Sequence, residues 1–569
     1  MAITLTDEQR AAVEDALVSQ AIVACAGSGK TVSAVRRVAE IRRRMPQKRA
    51  YVALLSYSKV AVDTFRDEYR ELTKSDAELS DRVVIATVDS FIATNVLLPH
   101  GPTYMKCECR PFLVTGGEAW LNGFKVNNGT YPVPIGKLGV SVDASGFTFA
   151  DTSYQTAQPV APNAARLIVD KLAKTGAYTH ALARYWAIQV LMEQKRLLEI
   201  LACRYPFILI DEAQDIGSMH GALVSMLRGA GVTVSLIGDP NQAIYEFADA
   251  DGGFLRDFST TAGVSPHSLT ENRRSVTEIV AVASALSSTV SKAVREAPAR
   301  KHGAYFMRYK PNEIDKLVDA FKAILNGHGY AEDNAAILCR ANAWAETVTG
   351  GAAQTGRGAT ERLAQAAIFR DRGDIAKSFE CVVEGVLKLL DSPPARLRGD
   401  ILGSDVPTDL KPMRRLLWEF LKCTDTGLPE SSLRAKPEWH PRLKGRLPNL
   451  FVAIESATRM KRSTTWKNNL TTTDLGDEPL VQRDLITDGG VLVRTRTVHK
   501  VKGEGIDAVL YVARKGDLDK MLAGTGTEDG RVGYVAVTRA RDLLIVGIPA
   551  KTPDAIVADL KAKGFLEWS

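Results

Sequence analysis

The 569-residue sequence lacks any apolar run of the roughly 18 residues that a membrane-spanning helix requires. Its first residues, "MAITLTDEQRAAVEDAL", also lack the charged and then apolar pattern of a secretory signal. These absences exclude transmembrane helices and argue against export. We therefore expect a cytoplasmic protein without membrane association.

Cysteine is scarce and dispersed. Of the seven cysteines, only Cys107 and Cys109 lie close together, and neither a second pair nor neighbouring histidines complete a zinc site. This pattern favours reduced thiols, as in cytoplasmic proteins. The hydrophobic share of 45% and the charged share of 24% are those of a globular protein. Because a single core stops growing near about 250–300 residues, we expect two to four domains.

The net charge of +7 is unevenly distributed along the chain. Residues 36–49 carry seven basic groups and one acidic group, and residues 411–446 carry nine and four. Clusters of this kind attract polyanions, of which nucleic acid is the commonest. Solvated helix faces have the same composition, so charge alone does not separate the two interpretations.

A phosphate-binding loop is predicted near the N-terminus, where "AIVACAGSGKT" (21–31) turns from an apolar strand into a Gly-rich loop. The glycines allow successive backbone N–H groups to point at phosphate oxygens, and the helical pattern that follows adds a helix N-terminus. Lys30 is expected to reach the terminal phosphates, and Thr31 to offer its hydroxyl to Mg²⁺. The predicted phosphate-binding residues are Ala26, Gly27, Ser28, Gly29, Lys30 and Thr31.

Two further apolar strands end in polar residues. In "YPFILIDEAQD" (205–215), Asp211 is expected to hold Mg²⁺ and Glu212 to activate the attacking water. After "VTVSLIGDP", Gln242 is expected to reach the γ-phosphate. Tyr245 and Phe247 lie two residues apart, a spacing that suits either core packing or a platform on which bases stack.

Together with several other segments, these motifs resemble superfamily 1 DNA helicases of the UvrD/Rep type, in order and across nearly the whole chain. The segments are "LTDEQRAAV" (5–13), "ACAGSGKT" (24–31), "LLSYSKVAVDTF" (54–65), "ATVDSF" (86–91), "DEAQD" (211–215), "GDPNQAIYEF" (238–247), "LTENRRS" (269–275), "ILCRANAW" (337–344), "TRTVHKVKGEGIDAVLYV" (495–512) and "GYVAVTRARDLL" (533–544).

The resemblance implies an α/β fold with two RecA-like P-loop motor domains, each carrying an inserted accessory domain. The first motor domain is expected over 1–95 and 205–271, with its insert over 96–204. The second is expected over 272–350 and 486–569, with a helical, basic insert over 351–485. Short alternating runs predict small β-structure within 101–155, followed by helices over 161–204.

The resemblance also implies residue roles. Gln9 would recognise adenine, and Arg274 and Arg539 would act as arginine fingers on the γ-phosphate. The catalytic set is thus Lys30, Asp211, Glu212, Gln242, Arg274 and Arg539. Residues expected to line the single-stranded DNA are Tyr57, Thr87, Tyr245, Phe247 and His499.

The chain departs from the family pattern at three places. Arg273 stands where relatives carry an aromatic, and Val32 where they carry an arginine, so we expect the Arg273 guanidinium to cover adenine; the alternative is that it points to solvent. Glu504, expected near the ribose, comes one position early, with Gly505 in its usual place. Asp89 replaces a common histidine.

The second insert holds the basic cluster at 411–446 and three tryptophans, which suit either a core or a contact with duplex DNA. They are Trp418, Trp439 and Trp466.

The sequence therefore predicts a monomeric motor that uses ATP and Mg²⁺. The resemblance implies that it moves 3′ to 5′ on single-stranded DNA, unwinds at single/double-strand junctions and serves repair, recombination or replication. A protein partner could bind through the second insert. The alternative is a DNA-stimulated accessory ATPase of a repair or phage-defence complex that does not unwind DNA by itself. A nucleotide-gated binding module without turnover is disfavoured, because the whole catalytic set is present.

Lys30→Ala should abolish ATP hydrolysis and leave DNA binding intact, because the lysine is expected to contact only the phosphates. Phosphate release and filter binding of single-stranded DNA would measure the two properties. Persistent turnover would contradict the phosphate-loop assignment.

Overall fold

The computed structural model describes residues 5–47, 49–74, 79, 81–129, 131–154, 157–244, 250–287, 289–340, 358–371, 374–403, 406–473, 475–477, 479–480 and 493–568. The chain divides into two compact units, one formed by Met1–Val348 with Val493–Ser569 and the other by Thr349–Leu492. The predicted second insert, 351–485, falls inside the second unit.

The first unit contains two six-stranded sheets. All strands of the first sheet are parallel and mostly apolar, as expected for a sheet covered on both faces. They are β1 (Ser19–Ala24), β2 (Val52–Ser56), β3 (Val83–Thr87), β4 (Phe207–Ile210), β5 (Thr233–Gly238) and β6 (Val264–Leu269). Helices beside them are Asp7–Glu14, Lys30–Arg44, Lys59–Thr73, Val88–Ile92, Ser218–Gly229 and Gly253–Ser259. We call this part the first lobe.

The strand order of the first sheet, β6-β1-β5-β4-β2-β3, positions the polar residues that follow each strand. Because parallel strands end at one edge, the segments that follow β1, β5 and β4 meet there. These segments carry Lys30, Asp239 and Asp211. Tyr57 directly follows β2 and Thr87 ends β3, and both lie further along the same edge.

The second sheet is also parallel and has the order β9-β8-β10-β11-β7-β12. Its strands are β7 (Gly303–Tyr309), β8 (Ala335–Cys339), β9 (Arg494–Thr497), β10 (Ile506–Val512), β11 (Ala540–Pro549) and β12 (Leu566–Glu567). Its helices are Thr277–Ser287, Ile314–Gly327, Lys515–Leu522, Glu528–Val537 and Asp554–Ala562. We call this part the second lobe. Two parallel sheets flanked by helices confirm the predicted α/β class.

Between β3 and β4 the chain forms small sheets and then helices, as the alternating and helical sequence patterns predict. Leu138–Asp143 and Gly146–Asp151 form an antiparallel hairpin that Gln158–Val160 extends. The helices are Leu98–Met105, Pro162–Ala173, His180–Glu193 and Lys195–Arg204. Two-residue strands pair Phe112–Leu113 with Ala177–Tyr178 and Lys125–Val126 with Val133–Pro134. The bounds 96–204 for an accessory domain stay a prediction.

The described part of the second unit is helical. Its helices are Gly358–Asp371, Ile375–Leu387, Leu397–Leu402, Lys411–Lys422, His440–Thr458 and Trp466–Asn469. Trp439 and Trp466 are buried in its hydrophobic core, while Trp418 is half-buried and stacks on Phe379 with ring centroids 4.1 Å apart. The tryptophans therefore serve the core.

Across the described ranges of both units, no helix combines the length and apolarity needed to cross a bilayer.

Trp439→Ala should lower the free energy of unfolding of the second unit by about 3–5 kcal/mol, because it opens a cavity in the core. It also removes the indole N–H that donates to the Pro429 carbonyl. Urea unfolding followed by circular dichroism would measure the loss. Trp418→Ala, at a half-buried position, should cost less, and equal effects would contradict this account of the core.

Candidate active site

The phosphate-binding loop joins β1 to the helix Lys30–Arg44. Gly27 and Gly29 adopt φ of 74° and 80°, the left-handed region that glycine tolerates best. A Cβ on Gly27 would lie 2.6 Å from Arg274 Cβ and 2.7 Å from Asn272 Oδ1. Only glycine therefore fits where the "NRRS" segment packs on this loop.

Gln9 is buried and bonded to the loop. Its side-chain amide donates from Nε2 to the Ser28 carbonyl at 2.8 Å and accepts the Thr6 N–H at Oε1, 3.0 Å away. A Cβ on Gly29 would lie 2.6 Å from Gln9 Nε2. The residue predicted to read adenine therefore also holds the loop that follows β1.

Lys30 and Glu212 pair across the edge of the first sheet, with 3.4 Å between Nζ and Oε2. Glu212 adopts a left-handed conformation, φ 54°, that few non-glycine residues accept, and Gln214 donates a side-chain hydrogen bond to its carboxylate. Burial would raise the pKa of Glu212, but the charges of Lys30 and Lys502 lower it to about 2. Glu212 is thus an ionised carboxylate at neutral pH.

Asp211 behaves differently from its neighbour. Burial, reinforced by the charge of Glu212, raises the pKa of Asp211 to about 7. Its Oδ1 is buried and, among the described residues, has no hydrogen-bond partner. An unsatisfied carboxylate oxygen beside the first turn of the Lys30–Arg44 helix, where Thr31 lies, fits a Mg²⁺ ion, which prefers oxygen ligands.

Gln242 bridges the two lobes. Its Nε2 donates to Asp239 Oδ2 at 2.7 Å, and its Oε1 accepts from an Nη of Arg539 at 3.0 Å. Arg539 is fully buried and also donates to the carbonyls of Val535 and Glu504. Burial lowers its pKa, which the charge of Glu212 partly offsets. The residue expected to sense phosphate thus joins the lobes directly.

Arg274 lies beside Arg539 and donates to the carbonyls of Gly503 and Thr538 at 3.2 and 3.4 Å. Burial, together with the charges of Arg539 and Arg541, lowers its pKa to about 9. Arg273, in contrast, is exposed, and its backbone N–H donates to the Gly27 carbonyl at 2.9 Å. Both adjacent arginines therefore lie at the loop, with different exposure.

A buried ion pair also links the lobes. Lys502 Nζ lies 2.7 and 2.6 Å from the two carboxylate oxygens of Asp215, and both side chains are less than one-tenth exposed. Even so, burial raises the pKa of Asp215 to about 6. Glu212 and Asp215 of the "DEAQD" segment thus contact cations of different lobes.

Comparison with known proteins supports the family. The sequence model of the UvrD/REP helicase N-terminal domain matches residues 153–262, a stretch that contains Asp211, Glu212 and Gln242. Over this stretch the chain is similar to the UvrD-like helicases of superfamily 1.

Three relatives illustrate this UvrD-like likeness. The "RecBCD enzyme subunit RecB" of Borreliella burgdorferi is 36% identical over 94 residues, 16% of this chain and 8% of that protein. The "Putative ATP-dependent DNA helicase YjcD" of Bacillus subtilis is 34% identical over 96 residues, 17% of this chain and 13% of that protein. The "Probable DNA helicase II homolog" of Mycoplasma pneumoniae is 25% identical over 176 residues, 28% of this chain and 24% of that protein. The matched part therefore spans at most 24% of the length of these relatives.

The structure explains one departure of this UvrD-like chain from the family pattern. A Cβ on Gly505 would lie 2.8 Å from Arg541 Nε and 3.3 Å from Arg274 Nε. The two guanidinium groups therefore lie against the Gly505 backbone, where a larger side chain would displace them. The backbone carbonyl of Glu504 accepts from Arg539, whereas a contact of its side chain with ribose stays a prediction.

The residues expected to line DNA do not cluster with the residues expected to bind the nucleotide. Tyr57 is half-buried with its ring edge against His220, and Thr87 caps the helix Val88–Ile92. His499 is half-buried, and burial lowers its pKa. Tyr245 and Phe247 lie outside the described residues.

Asp89, which replaces the common histidine, has a fixed role in this UvrD-like chain. Both of its carboxylate oxygens accept from Arg184, at 2.9 and 2.8 Å, and His220 lies 3.1 Å away. Although burial opposes it, these hydrogen bonds hold the pKa of Asp89 well below its usual range. Asp89 thus ties the helix His180–Glu193 to the end of β3.

Sequence reasoning missed three residues of the UvrD-like site: Asp239, Asp215 and Asn272. Asp239 directly follows β5, just as Asp211 follows β4, and this parallel was visible in the sequence. Asn272 accepts the backbone N–H groups of Arg274 and Ser275, which no local pattern indicated.

Arg274→Ala should slow ATP hydrolysis roughly a thousand-fold, because a finger arginine acts mainly on the charge of the transition state. The KM for ATP should change little. Steady-state phosphate release with single-stranded DNA would measure both, and a near-normal rate would remove the finger role.

Arg273→Ala is the matched control at the adjacent position. It should mainly raise the KM for ATP, because adenine stacking contributes to binding. An unchanged KM would favour the alternative in which Arg273 only contacts solvent.

Proposed function

We propose that this chain is an ATP-driven DNA helicase and translocase that moves 3′ to 5′ on single-stranded DNA. The observation that carries the proposal is the pairing across the lobes. Gln242 of the first lobe bonds to Arg539 of the second, beside a phosphate loop and two acidic strand ends. A contact of this kind transmits the state of the nucleotide to the other lobe.

In this proposal the first lobe holds and activates ATP. The backbone of the loop and Lys30 bind the phosphates, Thr31 and Asp211 hold Mg²⁺, and Glu212 orients and deprotonates the attacking water. Bound Mg²⁺ would neutralise charge on the β- and γ-phosphates. The charges of Lys30 and Lys502 lower the pKa of Glu212 against the effect of burial, so its carboxylate is ionised at neutral pH.

The second lobe supplies cations to the transition state. Arg539 is fully buried and Arg274 is half-buried, and both donate to backbone carbonyls of the second lobe, so they have little solvent to lose when they turn to a phosphate. Gln9 and Arg273 contact adenine, and Glu504 faces the ribose.

The DNA path runs over the ends of β2 and β3. Tyr57 directly follows β2, Thr87 ends β3, and His499 belongs to the second lobe. With Tyr245 and Phe247 they contact bases and backbone. Contacts to phosphates make binding fall with salt. We propose a cytoplasmic monomer that acts at single/double-strand junctions in repair, recombination or replication.

A second candidate is a DNA-stimulated ATPase subunit that unwinds only within a larger complex. The 36% identity with a protein named as a subunit of the RecBCD enzyme favours it. In that case the second insert is the surface for a protein partner.

Purified protein should hydrolyse ATP several-fold faster with single-stranded DNA than without it, and should displace a strand from a duplex with a 3′ tail but not a 5′ tail. Phosphate release and a fluorescent strand-displacement assay measure these properties. Stimulated hydrolysis without displacement would select the subunit hypothesis, and hydrolysis that DNA does not change would contradict both.

A further inference from the structure

The segment that carries Arg274 is held by backbone contacts on three sides. The N–H of Arg273 donates to the Gly27 carbonyl of the loop, and the N–H of Val276 donates to the Arg541 carbonyl at the start of β11. Glu271–Asn272 also pairs with Lys292–Ala293 as two short parallel strands. None of these contacts involves the peptide groups of Arg274 itself.

Side chains hold those peptide groups instead. The Arg274 N–H donates to Asn272 Oδ1 at 2.8 Å. The Arg274 carbonyl accepts from an Nη of Arg295 at 2.7 Å. Both backbone dihedral angles of Arg274 are therefore fixed from outside the residue, and with them the direction in which its long side chain leaves the backbone.

Arg295 is in turn fixed by a buried carboxylate. The same Nη that bonds to the Arg274 carbonyl lies 2.6 Å from Asp542 Oδ1, and Asp542 is fully buried. The other oxygen of Asp542 accepts from Arg300 at 2.7 Å, and Arg300 stacks on the Tyr330 ring at 3.9 Å. Asp542 Oδ1 has no hydrogen-bond partner among the described residues, so its contact with Arg295 is an ion pair, and the hydrogen bond from Arg300 to Oδ2 orients the carboxylate for it.

We propose that Arg295 and Asp542 are positioning residues for hydrolysis: they hold the backbone of Arg274 so that its guanidinium is aimed at the γ-phosphate. This inference rests on the proposed function of Arg274. Charge-assisted hydrogen bonds are roughly twice as strong as neutral ones, and a small displacement of a catalytic group has a large effect on rate.

The placement of Arg295 argues against a role in lobe stability alone. Its side chain is 29% exposed and does not fill the core of the lobe, yet its bonds converge on one carbonyl and one carboxylate. A matched arginine exists in the same lobe. Arg308 is 34% exposed and donates to the carbonyls of Ala550 and Thr552 at 3.2 and 3.4 Å, away from the cleft.

The first test compares ATP hydrolysis with single-stranded DNA in wild type, Arg295→Gln and Arg308→Gln. Arg295→Gln should lower kcat roughly ten-fold, because the Arg274 backbone is no longer held in the orientation that directs its guanidinium at the γ-phosphate. The KM for ATP should change less than about two-fold. Arg308→Gln should leave both constants near wild type. Equal losses in the two variants, with matching losses in melting temperature, would overturn the inference.

A double-mutant cycle separates positioning from stability. In an Arg274→Ala background, adding Arg295→Gln should have almost no further effect on kcat, because there is no guanidinium left to aim. A further ten-fold loss in the double variant would show that Arg295 acts independently of Arg274, and the inference would fail. Asp542→Asn should behave like Arg295→Gln in the same cycle.

Hydrogen exchange gives a readout that does not depend on activity. Arg295→Gln should speed amide exchange in peptides that cover 271–276, whereas Arg308→Gln should not. Unchanged exchange would overturn the inference even with an inactive wild-type protein. Failure of the wild type to hydrolyse ATP would contradict the proposed function. The exchange result would still decide whether Arg295 holds the backbone of residues 271–276.

Discussion

Charge balance in a buried cleft is the constraint on which the arrangement of the two lobes depends. The ionisable groups there are the carboxylates Asp211, Glu212, Asp215 and Asp239 and the cations Lys30, Lys502, Arg274 and Arg539. The first lobe contributes all four carboxylates and only one of the cations. Because an uncompensated buried charge costs several kcal/mol, the first lobe needs the second in order to bury this edge, where we propose that the nucleotide binds.

The same balance divides the carboxylates by role. Glu212 pairs with Lys30 and accepts a hydrogen bond from Gln214, and the charges of Lys30 and Lys502 lower its pKa although burial opposes them. Asp211 Oδ1 has no hydrogen-bond partner among the described residues, and burial together with the charge of Glu212 raises the pKa of Asp211. Two adjacent acids in one strand end therefore differ in their contacts: protein groups satisfy one carboxylate, while the other suits a bound cation.

Local patterns predicted the fold class and the polar residues that follow the strands. The glycines of the loop, the acidic strand ends and the hairpin after Leu138 each depend on neighbours within a few residues, and such patterns can be read from one sequence. Asp89 is different, because its partners Arg184 and His220 lie 95 and 131 residues away. The glycine at position 505 is likewise explained only by the guanidinium groups of Arg541 and Arg274, which lie against its backbone. Long-range pairing has no local signature, so these contacts required the structure.

The bridge made by Gln242 has a directional consequence. A carboxamide has unlike ends, and here the nitrogen faces a carboxylate while the oxygen faces a guanidinium. Rotating the group by half a turn would set donor against donor and acceptor against acceptor, so only one orientation is compatible with both neighbours. A phosphate oxygen only accepts hydrogen bonds, so it would compete either with Asp239 for Gln242 Nε2 or with Gln242 Oε1 for the Arg539 Nη. The Gln242 side chain therefore connects the lobes in one orientation only. Its nitrogen bonds to the lobe that we propose binds the nucleotide, and its oxygen bonds to the lobe that responds to it.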